Sequence, residues 1–164
     1  MKLSWVFFMN YFKYIDETLH VEDVSIDFIA NSVGTPFYVY STSTIVENYL
    51  EFESALTPLN SSIYFAMKAN SNLAILKTLK QLGAGMDVVS IGEYLRAQAV
   101  GIPGDKIVFS GVGKTQDEIK TVLHRGIKQF NVESEPELDA INTVAKSIGK
   151  IAPISIRVNP DVDA

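Results

Sequence analysis

Five short apolar runs, each followed by a longer amphipathic stretch, limit what this chain can fold into. The runs cover residues 63–67, 86–89, 107–109, 127–132 and 154–158, and successive starts lie 23, 21, 20 and 27 residues apart. Rich in Val, Ile and Phe, each fits a buried strand. The intervening segments fit helices. Residues 72–82 place Leu73, Leu76, Leu79 and Leu82 three apart, on one drifting face. Ser90 stands three residues before Glu93, Thr115 before Glu118 and Ser134 before Glu137, the spacing of a capping box. Pro136 suits a first helical turn. Gly83, Gly101, Gly126 and Gly149 follow the helices, where a C′ glycine is expected.

The pattern is therefore βα repeated four times, with a fifth strand at the end. Strands joined through single helices pair in parallel with right-handed crossovers. Two architectures satisfy this: a (β/α)8 barrel cut short, or an open doubly wound sheet. No G-x-G-x-x-G follows the first strand, so a dinucleotide site gains no support. Gly111-Val-Gly-Lys-Thr115 has part of a P-loop but lacks the glycine five residues before its Gly-Lys, which argues against ATP binding.

Upstream of the repeat the pattern changes. Residues 21–32 look like a helix, and residues 36–40 (Pro-Phe-Tyr-Val-Tyr) look like a strand leading into a helix over 44–56. Residues 9–20 hold strand material outside the repeat. Met1 to Met9 look superficially like a signal peptide, but the apolar run is short and no small-residue cleavage site follows. They read better as an upstream extension, with Met9 an alternative start.

Composition narrows the function. Hydrophobic residues make up 47% of the 164 and charged residues 20%, a globular balance. A net charge of −5 argues against a nucleic-acid partner, because phosphate binding needs a basic surface. No segment reaches the roughly twenty apolar residues of a membrane span, and a cytoplasmic protein is expected. The absence of cysteine excludes disulfides, thiolate metal sites and a Cys nucleophile within these residues. His20 and His124 lie far apart, so no metal site is expected; His124, near a helix end, reads as facing water or the helix dipole.

In a βα repeat, functional groups project from the C-terminal ends of the strands. Those ends carry Lys68, Ser90, Ser110, Glu133, Arg157 and Asn159. Lys68 directly follows a run, and Asp87 lies inside one. On strands buried on both faces, both charges are costly unless paired or functional. One reading pairs Lys68 with Asp87, or Asp87 with Arg157, as internal struts. The other makes Lys68 an amine tuned for Schiff-base chemistry. Ser90 and Ser110 read equally well as helix caps or as site residues.

Six segments carry a resemblance. They are Gly34-Thr-Pro-Phe-Tyr-Val-Tyr40, Tyr64-Phe-Ala-Met-Lys-Ala-Asn70, Gly85-Met-Asp-Val-Val-Ser-Ile-Gly-Glu93, Ile107-Val-Phe-Ser-Gly111, Phe130-Asn-Val-Glu-Ser134 and Ile156-Arg-Val-Asn-Pro160. In this order they resemble the diaminopimelate decarboxylase family, and the likeness covers nearly everything from about Met9 onward. The resemblance implies an α/β fold: a partial (β/α)8 TIM-like barrel preceded by a segment of a β domain. Residues 1–40 would be the extension and β-domain segment, and 41–164 the truncated cofactor-binding barrel.

The resemblance also implies the cofactor, pyridoxal 5′-phosphate, covalently held by the lysine that matches Lys68, the catalytic residue. Asp87 and Arg157 would line the cofactor pocket, Arg157 opposite the ring oxygen and Asp87 orienting nearby groups or Lys68. The reaction would convert meso-diaminopimelate to lysine, in a homodimer. Relatives acting on ornithine, arginine or carboxynorspermidine, and a non-catalytic remnant of a broken gene, are the alternatives. A ring-stacking histidine, a glycine-rich phosphate loop, an acid facing the pyridine nitrogen, the substrate-binding residues, a catalytic cysteine and most of the β domain would follow Ala164. Five of eight strands leave two unpaired edges. The 164 residues alone are therefore expected to lack decarboxylase activity.

Overall fold

The computed structural model describes residues 11–160. The reading of Met1 to Met9 as an extension lies outside the described residues. Two compact units divide the chain, Met1–Pro58 and Leu59–Ala164.

The first unit opens with a three-stranded antiparallel sheet, β1 (Phe12–Ile15), β2 (Thr18–Val21) and β3 (Val24–Ser25), in that order. Asp16 and Glu17, with φ of 45° and 66°, form the two-residue turn between β1 and β2. Positive φ at both positions matches the twist of a tight hairpin. Helix α1 spans Ile26–Val33, capped by Ser25, whose Oγ accepts from the Phe28 N–H at 3.1 Å. The helix expected over 21–32 thus starts five residues later. The chain at Glu22 turns through φ 54° instead, because its carboxylate accepts from Ser41 Oγ at 2.7 Å and Ser43 N at 2.9 Å. The Ser43 N–H, with the Ser41 hydroxyl, holds that carboxyl below its usual range.

Helix α2 spans Thr42–Leu56, two residues earlier than expected, because Ser41 caps it by accepting from Thr44 N at 3.0 Å. Residues 36–40 form no strand. Their alternating aromatics carry β propensity, but no described strand pairs with them, and Pro36 has no N–H to offer.

The second unit holds the repeat. Its elements are β4 (Tyr64–Ala66), α3 (Leu73–Gln81), β5 (Gly85–Val88), α4 (Ile91–Ala99), β6 (Ile107–Phe109), α5 (Gln116–Arg125), β7 (Gln129–Val132), α6 (Glu135–Ser147) and β8 (Ile154–Ile156). The five strands form one parallel sheet in the order β4-β5-β6-β7-β8. Each strand lies beside its successor in sequence, so these strands contain no reversal of order, the mark of a doubly wound sheet.

Side chains alternate across this sheet. Met86, Val88, Ile107, Phe109, Phe130 and Val132 point to one face, where they are buried with Leu76, Tyr94, Ala97, Ile119, Val122 and Ile141 of the helices. The rings of Phe109 and Phe130 stack 6.1 Å apart. The other face carries Asp87, Ser110, Gln129, Asn131, Ser155 and Arg157. The expectation of strands buried on both faces holds for β6, where Val108 lies buried beside Asp87, and is corrected for β7, which alternates, and for β8, which is exposed. In α3, Leu76 and Leu79 are buried while Leu73 is 43% exposed, because a period of three drifts off a 3.6-residue stripe.

The caps form as the sequence suggests. Thr115 and Glu118 make a full capping box. Ser90 and Ser134 cap their helices, but Glu93 and Glu137 reach one residue further back, to the N–H of Val89 and of Glu133, both at 2.8 Å. Gly83, Gly101, Gly126 and Gly149 all have positive φ. His124 is exposed in the last turn of α5. No helix among the described residues is long and apolar enough to cross a membrane.

Two predictions follow from these contacts. A Cβ on Gly104 would lie 2.4 Å from the Gly126 carbonyl oxygen, whereas one on Gly113 meets nothing within 4 Å. Gly104→Ala should cost about 1–3 kcal/mol of unfolding free energy, and Gly113→Ala less than about 0.5 kcal/mol; equal losses in denaturant titrations would refute the steric argument. The second concerns Glu118. Burial disfavours its charge, but the N–H groups of Thr115 and Ile91, the Thr115 hydroxyl and nearby Lys114 outweigh that and hold its carboxyl below the usual carboxylate range. A depressed folded-state pKa stabilises the fold above the unfolded value, and the gain disappears as pH falls through the folded value. Below pH 4.5, Glu118→Gln should therefore lose stability less steeply than the wild type, as urea titrations across that range would show; parallel curves would count against it.

Candidate functional site

The polar face of the sheet and the loops at the strands' C-terminal ends define the site. Lys68 sits in a single 3-10 turn, Met67–Ala69, directly after β4. Met67, 1% exposed, anchors the turn in the core and leaves Lys68 exposed. The next residues fix the loop: Asn70 Oδ1 accepts from Asn72 N at 3.0 Å, and Asn72 Oδ1 accepts from Ala74 N at 2.9 Å to cap α3. Lys68 thus projects from a short loop braced on both sides. Among the described residues its amine has no hydrogen bond or ion pair.

Neither strut considered from the sequence forms. Asp87, partly exposed, accepts from Ser110 Oγ at 2.5 Å. Arg157 donates to Glu133 Oε2 at 3.0 Å and, through Nε, to Asn159 Oδ1 at 3.2 Å. The charges escape burial because Lys68 lies past the end of its strand and Asp87 and Arg157 face the polar side of the sheet. Ser90 acts as a cap, while Ser110 joins the site.

Ser110 is one link of a directed chain. Gln129 Nε2 donates to Asn131 Oδ1 at 2.8 Å, Asn131 Nδ2 donates to Ser110 Oγ at 2.8 Å, and Ser110 donates to Asp87. Three strands thus contribute to one row that ends on a carboxylate. Beside it opens a cleft of about 330 Å3 lined by Ser110, Asn131, Glu133, Ser155 and Arg157. The structure brings Asp87 to this cleft through Ser110 and places Arg157 at its rim. Lys68, on the far side of β5, is not among the lining residues.

Sequence reasoning missed Asn131, Ser155 and the pair Lys114–Glu137. A signal for the strand residues was present: Gln129, Asn131 and Glu133 are two apart, as are Ser155 and Arg157, with apolar residues between. That period of two marks one face of a strand. Lys114 is not exposed as a phosphate-binding lysine would be. Its side chain is 1% exposed, its amine is 2.5 Å from Glu137 Oε1, and it lies 5.7 Å from the centre of the Phe109 ring. Among the described residues, no three His, Asp or Glu side chains cluster to hold a metal.

An unpaired primary amine, a guanidinium at a cleft rim and a hydroxyl–carboxylate row suit a ligand with a carbonyl and ionised ring substituents. These residues therefore fit pyridoxal 5′-phosphate.

The chain is 50% identical over 157 residues to the diaminopimelate decarboxylase of Vibrio cholerae, which covers 95% of this chain and 38% of that protein. The chain thus spans about two fifths of the length of the curated relatives it matches. Among solved structures, the diaminopimelate decarboxylase of M. jannaschii superposes with a TM-score of 0.89 at 36% identity, over 95% of this chain and 37% of that one. The Helicobacter pylori enzyme complexed with L-lysine gives 0.80 at 46% identity, over 84% and 35%. Residues 42–164 match the family described as pyridoxal-dependent decarboxylase, pyridoxal binding domain, and it is to this family that the chain belongs.

Proposed function

We propose that the protein of which these residues are the cofactor-binding part decarboxylates meso-diaminopimelate to lysine, using pyridoxal 5′-phosphate held by Lys68. The observation that carries this reading is the free amine of Lys68, fixed in a braced turn beside a polar sheet face, in a chain half identical to a diaminopimelate decarboxylase. The sequential strand order supports a partial (β/α)8 barrel, whose functional groups gather at the C-terminal ends of the strands. The family match beginning at residue 42 supports a barrel part from 41 onward, with residues 1–40 as the leading β-domain segment. A cytoplasmic homodimer acting on a small amino acid belongs to the same reading.

Each residue has a role that its own contacts support. Lys68 offers an amine free to bond the cofactor's carbonyl carbon. Asp87, its carboxylate fixed by Ser110, orients groups around that amine. Arg157 presents N–H donors to an ionised oxygen on the ring. When bound, pyridoxal 5′-phosphate supplies an electron sink for the carbanion left after loss of carbon dioxide.

Borohydride treatment of the full-length protein in the presence of cofactor should leave a pyridoxyl adduct on the peptide carrying Lys68. Lys68→Ala should abolish both the adduct and lysine formation, a loss of at least about 10³-fold in turnover. An adduct on another lysine, or undiminished turnover in Lys68→Ala, would defeat the assignment.

A further inference from the structure

Four residues close a ring of hydrogen bonds that the proposed chemistry does not use. Lys114 Nζ donates to the Gly111 carbonyl at 2.6 Å and to Glu137 Oε1 at 2.5 Å. Glu137 Oε2 accepts from the Glu133 N–H at 2.8 Å, and Glu133 Oε1 accepts from the Gly111 N–H at 2.8 Å. The ring ties the loop after β6 to the end of β7 and the start of α6. Lys114 also donates to the Asn131 carbonyl at 2.9 Å. Lys114 and Glu137 have side chains only 1% and 9% exposed, so their geometry is set by packing as well as charge.

One atom of the ring points out of it. Glu133 Oε2 is free of the ring and accepts from Arg157 at 3.0 Å. Arg157 itself is 55% exposed at the side chain, and its other recorded partner is Asn159, two residues along the chain. A long exposed side chain samples many rotamers and loses that freedom on binding. Glu133 is only 12% exposed and is held at both its N–H and one carboxylate oxygen.

We propose that Glu133 is a positioning residue: the ring of Lys114, Glu137 and Gly111 fixes its carboxylate, which in turn holds the Arg157 guanidinium at the rim of the cleft before any ligand arrives. This rests on the reading of Arg157 as a cofactor residue. The ring explains why a buried cation follows the Gly-Val-Gly turn, where the sequence resembles part of a phosphate loop. It also explains why glutamate, rather than the shorter aspartate, stands at residue 133: the side chain spans from the end of β7 to both Gly111 and Arg157.

The test uses the full-length protein with Glu133→Gln, Arg157→Met and the double variant. Glu133→Gln keeps an oxygen for the Gly111 N–H and removes the charge that faces Arg157. Cofactor affinity, followed by the absorbance of bound pyridoxal 5′-phosphate, should fall about tenfold in Glu133→Gln, the loss of one charge-assisted hydrogen bond. The double variant should bind no more weakly than Arg157→Met alone. Wild-type affinity in Glu133→Gln, or two effects that add in full, would overturn the proposal. A second readout needs no cofactor. Exchange with water of the Arg157 Nη1 protons, which face Glu133, should be about tenfold faster in Glu133→Gln when followed by NMR, and an unchanged rate would also overturn it. A wild-type protein that takes up no cofactor at Lys68 would count against the functional reading alone, since the exchange measurement would still decide the role of Glu133.

Discussion

The constraint on which the second unit depends is the period of two along its parallel strands. Because neighbouring strands run in register, alternate residues line up in rows across the sheet rather than scatter. On the helix side the rows are Met86, Ile107, Phe109 and Phe130, all 1% exposed or less. Fully burying each such side chain is worth roughly 1.5–3 kcal/mol, so a shift of one residue in β5, β6 or β7 would turn one or two of them out of the core. The register that protects the core therefore also sets the opposite face. Phe109 pairs with Phe130, and one step further on Ser110 meets Asn131; Val132 pairs with Ile156, and one step further on Glu133 meets Arg157. The polar contacts of the site are consequences of apolar packing on the other side of the same backbone.

This relation explains what could be read in advance. The strand positions, the parallel order of units, the three cap signals and the glycines after the helices were legible, because each rests on short-range patterns. Burial on both faces holds for Ile107–Phe109 but not for Ile154–Ile156, whose equally apolar ends give no sign in the sequence that the strand stands at an edge of the described sheet. In β7 the pattern was legible, since Gln129, Asn131 and Glu133 are separated by Phe130 and Val132. In the first unit the local signals misled. Residues 21–32 have helical composition, yet a carboxylate-bound turn at Glu22 delays the helix to Ile26. Such a turn depends on Ser41 and Ser43, some twenty residues away, and no window of local sequence contains it. Lys68 and Asp87 stand out in the sequence as charges at or within apolar runs, and Arg157 through the resemblance; the partners of Asp87 and Arg157 do not, because Ser110 and Glu133 come from neighbouring strands.

The Lys114–Glu137 pair shows how a buried charge is tolerated. Desolvating two ions costs several kcal/mol each, and here the cost is offset by two carbonyl oxygens on the amine and an N–H on the carboxylate. The Phe109 ring adds a cation–π contact. An apolar pair of similar volume could match the stability of such a site, but it could not direct the second oxygen of Glu137 to the backbone of Glu133. What the ion pair contributes is orientation at the end of β7.

The same accounting of partners gives Lys68 its distinct character. Five acids at the C-terminal ends of these strands are engaged elsewhere: Asp87 by Ser110, Glu133 by Gly111 and Arg157, Glu137 by Lys114 and Glu133, and Glu93 and Glu118 by backbone N–H groups. An amine locked to a carboxylate would have to break that pair before it could bond a ligand's carbonyl carbon. No carboxylate among the described residues makes an ion pair with Lys68. The turn then holds the amine in place through Met67 and Asn70 rather than through its charge. An amine anchored by its backbone, with the carboxylates of the neighbouring strands engaged elsewhere, stays free of an ion pair.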